Sequence, residues 1–186
     1  MSLYERYADG LEYAAFLDRY GSDAHKSRWQ ATLDAVQLTA AQTELLRSFR
    51  RQINVLCLAG SWCGDCSSQC PIFERFAQVN PLIRVRYLDR DDHADVQEQL
   101  RINGGNRVPV LVFFSEDGYE VARYGERTLS RYRQMMRDQL GASCPTGINI
   151  ASDPLLAQVT QDWLNEFERV QYILRLSPRL RQKHND

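Results

Sequence analysis

No continuous apolar run in this 186-residue chain is longer than a β-strand. Val108 to Phe114 is one of the longest, far short of the roughly 20 residues a membrane-crossing helix needs, so no membrane partner is expected. Net charge is almost absent as well. Lys plus Arg number 23 against 24 Asp plus Glu, which leaves no global field to gather nucleic acid or anionic lipid. Met1 to Leu17 does not read as a secretory leader, because Glu5, Arg6, Asp9 and Glu12 interrupt it and no basic start precedes an apolar core. A soluble, cytoplasmic protein is the expectation. The five cysteines, Cys57, Cys63, Cys66, Cys70 and Cys144, are odd in number and do not suit a secreted disulfide framework. Catalysis or metal binding is the better question to put to them. No internal repeat is visible.

The composition, 44% hydrophobic and 25% charged, is that of a globular chain able to bury one core, and a single domain over residues 1–186 is expected. Apolar residues at helical spacing predict a helix from Leu3 to Arg19 stopped by Gly21, a second from about His25 to Leu38, and a third capped by Thr39 and running through Phe49. Ile53 to Ala59 reads as a strand buried on both faces, followed by a helix over Cys66 to Val79 that Pro71 should bend. Leu82 to Leu88 predicts a second strand, with Asp91 or Asp92 capping a short helix to about Leu100. Val110 to Phe114 and Tyr119 to Tyr124 flank Asp117–Gly118, a hairpin signal that makes the fourth strand antiparallel. Ser130 to Leu140 predicts a helix, and Ser143 to Ser152 a connector. Asp153 then caps a last helix with an apolar stripe through Trp163 and Phe167, ending before Pro178. Arg179, Arg181, Lys183 and His184 read as a solvated, frayed basic tail.

Cys63 and Cys66 stand at the junction of the buried strand and its helix. Thiol–disulfide exchange needs one thiol held as thiolate and a second close enough to resolve the mixed disulfide. At a helix N-terminus, free backbone N–H groups and the macrodipole favour an anion on Cys63, while Cys66 lies one turn inside. Cys63 is thus the expected nucleophile and Cys66 the resolving thiol. Trp62 beside them offers a flat apolar surface to a substrate, or packs in the core.

Trp62-Cys63-Gly64-Asp65-Cys66 after a buried strand resembles the active-site segment of the thioredoxin superfamily. Pro71, five residues beyond Cys66, is similar to that family's kink proline, and Val108–Pro109 resembles its cis-proline segment. The resemblance is to thioredoxin-like bacterial proteins with this segment and a Gly/Asn-rich loop, here Asn103 to Arg107. It covers a little over half the chain. It implies an α/β thioredoxin-like fold: a central mixed sheet of about four strands flanked by helices, with N- and C-terminal helical extensions. The parts are a helical extension over 1–38, a thioredoxin-like core over 39–141, and a connector, C-terminal helix and basic tail over 142–186. It further implies a cis Pro109, and a Val108 backbone that pairs with an extended substrate segment. Gly125 matches either a glycine of the family's docking surface or a plain turn glycine.

Departures from the family pattern shape the expected chemistry. Asp65 replaces the usual proline, and its carboxylate should make Cys63 less acidic, or simply favour the first helical turn. Cys57 occupies the position of the family's buried acid, and Tyr87 that of its partner lysine. Asp91 either supports Trp62 or caps a helix. Cys70, four residues after Cys66, is a possible auxiliary thiol or a packed residue beside Pro71. Cys144 has no visible partner.

The resulting expectation is a thiol–disulfide oxidoreductase acting on disulfide-containing proteins or low-molecular-weight thiols. It needs no cofactor or metal, and a reductase partner is implied by the family. Two rivals stand beside it. One is a metal or iron–sulfur site on Cys63, Cys66 and Cys70, completed by Asp91, His93 or another molecule. The other is a non-catalytic thioredoxin-fold interaction module.

Overall fold

The computed structural model describes residues 2–140 and 154–186. Cys144, the predicted connector and the predicted cap Asp153 lie outside the described residues. Four strands form one mixed sheet in the order β2-β1-β3-β4. β1 (Ile53–Ala59) is buried at every position, as its almost wholly apolar sequence suits a central strand, with the buried Asn54 amide donating to the Ser115 carbonyl. It pairs in parallel with β2 (Ile83–Asp89) and antiparallel with β3 (Val110–Phe114). β4 (Glu120–Gly125) returns antiparallel to β3 through a turn in which Gly118 takes φ +87°, a conformation favouring glycine. The helix α5 (Gly64–Val79) crosses from β1 to β2.

Successive β3 residues show which elements cover each face. Phe113 meets Phe167 of α8 (Leu155–Leu176) edge to face at 5.1 Å, whereas Phe114 meets Tyr4 of α1 (Leu3–Asp9) at 5.3 Å. Phe73 and Phe76 of α5 pack on Trp163 and Phe167, so α5 and α8 share one layer. Burial of each such aromatic contributes on the order of 2–3 kcal/mol. On the same face near β2, the Tyr87 ring is enclosed by Tyr13 and Phe16 of α2 (Tyr13–Tyr20) and Trp29 of α3 (Asp23–Ala35). The terminal helices are therefore built into the core.

Three features differ from the sequence expectation. The helix predicted from Leu3 to Arg19 is two, α1 and α2, because the chain turns extended at Gly10. A Cβ on Gly10 would lie 2.6 Å from the Arg86 Cβ, and the next residue, Leu11, exchanges two backbone hydrogen bonds with Tyr87. This bridge covers part of the β2 edge. Second, neither Asp91 nor Asp92 caps the short helix α6 (Ala94–Gln99). His93 occupies that position, and Asp89 accepts hydrogen bonds from the backbone of Asp91 and Asp92 instead. Third, the basic tail is an ordered helix, α9 (Pro178–His184), whose Leu180 is fully buried. Arg179 pairs with Asp117, and Lys183 and His184 with Glu116, so the tail is held on the β3–β4 turn by charge as well as by burial. The other helices follow the pattern read from the sequence: Thr39 caps α4 (Ala40–Ser48), and α7 spans Leu129–Leu140.

Candidate functional site

β1 delivers the chain to a turn at Gly60–Trp62, and Cys63 becomes the N-cap of α5. The turn is fixed from behind. Trp29 donates its indole N–H to the Ser61 carbonyl at 2.9 Å, and the Ser61 hydroxyl donates to Tyr20 O at 2.6 Å. Helices before the predicted core thus position the cysteine segment. A Cβ on Gly60 would lie 2.9 Å from the Trp62 ring, which explains a glycine there.

Cys57, Cys63, Cys66 and Cys70 are free thiols. Cys63 alone is partly exposed, while the other three are fully buried. The Cys63 thiol faces the Val108 carbonyl at 3.8 Å, and Cys66 Sγ accepts from the Gly60 N–H at 3.4 Å. The interaction of Cys63 with Cys66 splits their ionisations. Burial would raise Cys66, but hydrogen bonds from Cys63, Cys70 and Gly60 outweigh it and bring its pKa down to about 5. Cys63 is pushed up, first by its hydrogen bond to Cys66 and then by burial. The pair therefore gives up one proton easily and holds the second tightly, so the charge belongs to both sulfurs. Access decides which can react with a partner.

Asp65 stands in an ion pair, and its charge still raises the Cys66 thiol. Its carboxylate accepts from Arg127 at 2.6 Å, and Arg131 lies 3.9 Å away. With that charge answered, the rise at Cys63 comes from Cys66 and burial, while the Asp65 backbone N–H lowers it. Arg127 also donates to Glu126 at 3.0 Å, and this buried carboxylate accepts in addition from Arg107 at 3.2 Å and the Tyr132 hydroxyl at 2.9 Å. Arg127 and Glu126 were not singled out from the sequence, since they lie about sixty residues beyond the cysteines with no motif to mark them.

Trp62 is 42% exposed, its ring under the Arg90 guanidinium at 4.5 Å. Arg90 in turn donates to Asp91 and to the Asn106 carbonyl of the Gly/Asn-rich loop. Asp91 thereby reaches Trp62 through Arg90. Gly64 is exposed beside Cys63. The Val108–Pro109 peptide is cis, with both residues buried. A Cβ on Gly125 would lie 2.6 Å from the Pro109 carbonyl, so glycine lets β4 close against this segment. Cys57 pairs with Tyr87 across β1 and β2, and the Tyr87 hydroxyl donates to the Cys70 carbonyl at 3.3 Å.

Asp91 and His93 are occupied away from the thiols: Asp91 pairs with Arg90, and His93 Nδ1 bonds the Asp89 carbonyl at 2.9 Å. Among the described residues no group of three or more His, Cys, Asp or Glu side chains is arranged to hold a metal ion.

A thioredoxin family model matches residues 10–139. The chain belongs to the thioredoxin family. The match takes in α2 and α3, the thioredoxin-family helices that hold the Ser61 turn. A curated relative, protein disulfide isomerase-like 2-2 of Oryza sativa subsp. japonica, is 30% identical over 96 residues, covering 50% of this chain and 25% of the relative. The chain therefore matches about a quarter of that relative's length. Two solved structures share the thioredoxin-family architecture over nearly the whole chain. A protein of unknown function from Pseudomonas aeruginosa has a TM-score of 0.72 at 17% identity, covering 91% of this chain and 96% of its own. An HIV epitope scaffold has a TM-score of 0.68 at 18% identity, with coverage of 91% and 97%. Both likenesses are of fold.

Proposed function

We propose that the protein is a thiol–disulfide oxidoreductase in which Cys63 attacks and Cys66 resolves. The observation that carries this reading is the unequal access of two neighbouring thiols at a helix start: Cys63 is partly exposed and Cys66 is fully buried. The Cys63 sulfur attacks one sulfur of a substrate disulfide, that S–S bond breaks, and the departing thiolate takes up a proton. Cys66 then attacks Cys63, releasing the second substrate thiol and leaving the Cys63–Cys66 disulfide. Reversal donates the disulfide to a substrate dithiol.

The first ionisation of the pair is held low, so the dithiol carries one negative charge at neutral pH, and Cys63 attacks when that shared charge resides on its accessible sulfur. Trp62 offers an apolar face beside the sulfur, and the Val108 backbone at Pro109 pairs with an extended segment of substrate. Family membership and the disulfide isomerase-like relative support the same chemistry. The substrates are protein disulfides or low-molecular-weight disulfides in the cytoplasm, and a reductase or a small thiol returns the electrons.

The test is reduction of insulin disulfides by dithiothreitol in the presence of wild type, Cys63→Ser and Cys66→Ser, together with the reduction potential of the dithiol. Cys63→Ser should abolish the acceleration, and Cys66→Ser should trap a mixed disulfide on Cys63. Acceleration that survives Cys63→Ser overturns the mechanism.

A further inference from the structure

The exchange reaction uses two of the four sulfurs in this region and leaves Cys57 and Cys70 without a role. Cys57 comes from the middle of β1 and Cys70 from the inward face of α5, and their Sγ atoms meet at 3.9 Å with both residues fully buried. A buried free cysteine ordinarily serves as a small hydrophobe. Here each thiol has another thiol as its hydrogen-bonding neighbour. Cys70 also follows Cys66 by one turn of α5, which places the two side chains one above the other on the same helix face. The sulfurs thus form one continuous line, Cys63, Cys66, Cys70 and Cys57, from the surface to the central strand.

The geometry points to a four-thiol relay in which a disulfide made at Cys63–Cys66 is passed inward to Cys57–Cys70, so that the protein holds two disulfides rather than one. The inference rests on the oxidoreductase reading of Cys63 and Cys66. In the first transfer Cys70 attacks the Cys66 sulfur. The Cys66–Cys70 bond forms, the Cys63–Cys66 bond breaks, and Cys63 leaves as a thiolate that receives the proton Cys70 gives up. In the second, Cys57 attacks Cys70, the Cys57–Cys70 bond forms, and Cys66 leaves and takes the proton from Cys57. Each transfer exchanges one S–S bond for another and consumes no oxidant. A second substrate disulfide then oxidises the vacated Cys63–Cys66 pair. Closing the Cys57–Cys70 contact to a bond requires the sulfurs to approach by about 2 Å, since an S–S bond is about 2.05 Å. Burial raises the thiols of both Cys57 and Cys70, so the inward transfer should be slower than the surface reaction and should accelerate with pH.

The experiment treats the reduced full-length chain with hydroxyethyl disulfide, first at one equivalent and then in excess, with acid quenching over time. Free thiols are alkylated and linked peptides mapped by mass spectrometry. Trypsin leaves all four cysteines on the peptide 52–75, so chymotrypsin after Trp62 and Asp-N before Asp65 are used, with fragmentation separating Cys66 from Cys70. At one equivalent, the Cys63–Cys66 link should appear first and give way to Cys57–Cys70. Excess oxidant should leave one of the five thiols free, where a single disulfide would leave three. Cys57→Ala should form Cys63–Cys66 normally and pass it no further than Cys66–Cys70, and Cys66→Ser should slow the formation of Cys57–Cys70 at least tenfold. Formation of Cys63–Cys66 alone in wild type, even with excess oxidant, overturns the relay and leaves the oxidoreductase reading standing. Equal rates of Cys57–Cys70 formation in wild type and Cys66→Ser overturn the relay by showing direct entry of oxidant. Absence of both links overturns both readings.

Discussion

The Arg127 guanidinium donates to the Asp65 carboxylate at 2.6 Å, which turns the negative charge placed between the two cysteines in sequence into one half of an ion pair. Both side chains are largely shielded from solvent, 18% and 16% exposed, so the pair is less screened than a surface bridge.

Removing Arg127 should therefore matter more to the thiols than removing Asp65. Arg127→Met leaves the Asp65 carboxylate short of its main partner, and the first ionisation of the cysteine pair should rise by about one unit. Asp65→Asn should shift it by less than about half a unit, and the double variant should return close to wild type. Ultraviolet thiolate absorbance during a pH titration reads all three.

The docking of α9 should be acid-labile. Asp117 has its pKa lowered to about 2, chiefly by the hydrogen bond from Arg179, and Glu116 is lowered by Lys183 and His184 against its burial. A depressed carboxylate stabilises the fold above its unfolded value and loses that contribution as pH falls through the folded one. Asp117 should thus contribute fully above about pH 5 and nothing below about pH 2, worth about 1 kcal/mol after solvent screening. Thermal unfolding across that range should show the loss, and Arg179→Ala should flatten the slope.

Gln69 joins two buried partners. Its amide N–H donates to the Glu126 carbonyl at 2.9 Å, and its oxygen accepts from the Trp163 indole at 2.9 Å. Gln69→Ala strands both groups, and urea unfolding should show a loss of about 2–4 kcal/mol. Trp163→Phe, which removes the indole donor but keeps a ring, should cost less.

Fluorescence should report Trp62 selectively. The other two tryptophans, Trp29 and Trp163, are fully buried, so iodide should quench Trp62 and leave the rest. Arg90→Ala uncovers the ring and should raise the quenching constant, whereas Trp62→Phe should remove the quenchable fraction. An unchanged constant in Arg90→Ala would show that the cation–π contact does not shield the ring.

What the sequence revealed follows the range over which its signals act. Ile53 to Ala59 could be read as a buried strand because a run that is apolar at all but Asn54 reports its own environment. Cys63-Gly64-Asp65-Cys66 could be placed at the junction of strand and helix because its spacing is local. The break at Gly10 was not, since it answers to Arg86 and Tyr87, some seventy-five residues away. Glu116 and Asp117 likewise turn a stretch of basic residues into a docked helix from across the chain. The sequence shows the neighbours of Asp65 and hides its ion-pair partner, Arg127, some sixty residues away. Cys57 and Cys70 were each visible, but their meeting depends on the register of a helix over a strand.

The position of Gln69 also sets what can be cut away. It lies on the redox helix between Cys66 and Cys70 and is held by Trp163, so α8 serves as a foundation for the cysteine segment. A fragment ending with α7 would retain every sulfur of the line yet leave Gln69, Phe73 and Phe76 facing water. Grafting the cysteine segment onto a shorter scaffold would need a substitute for that support.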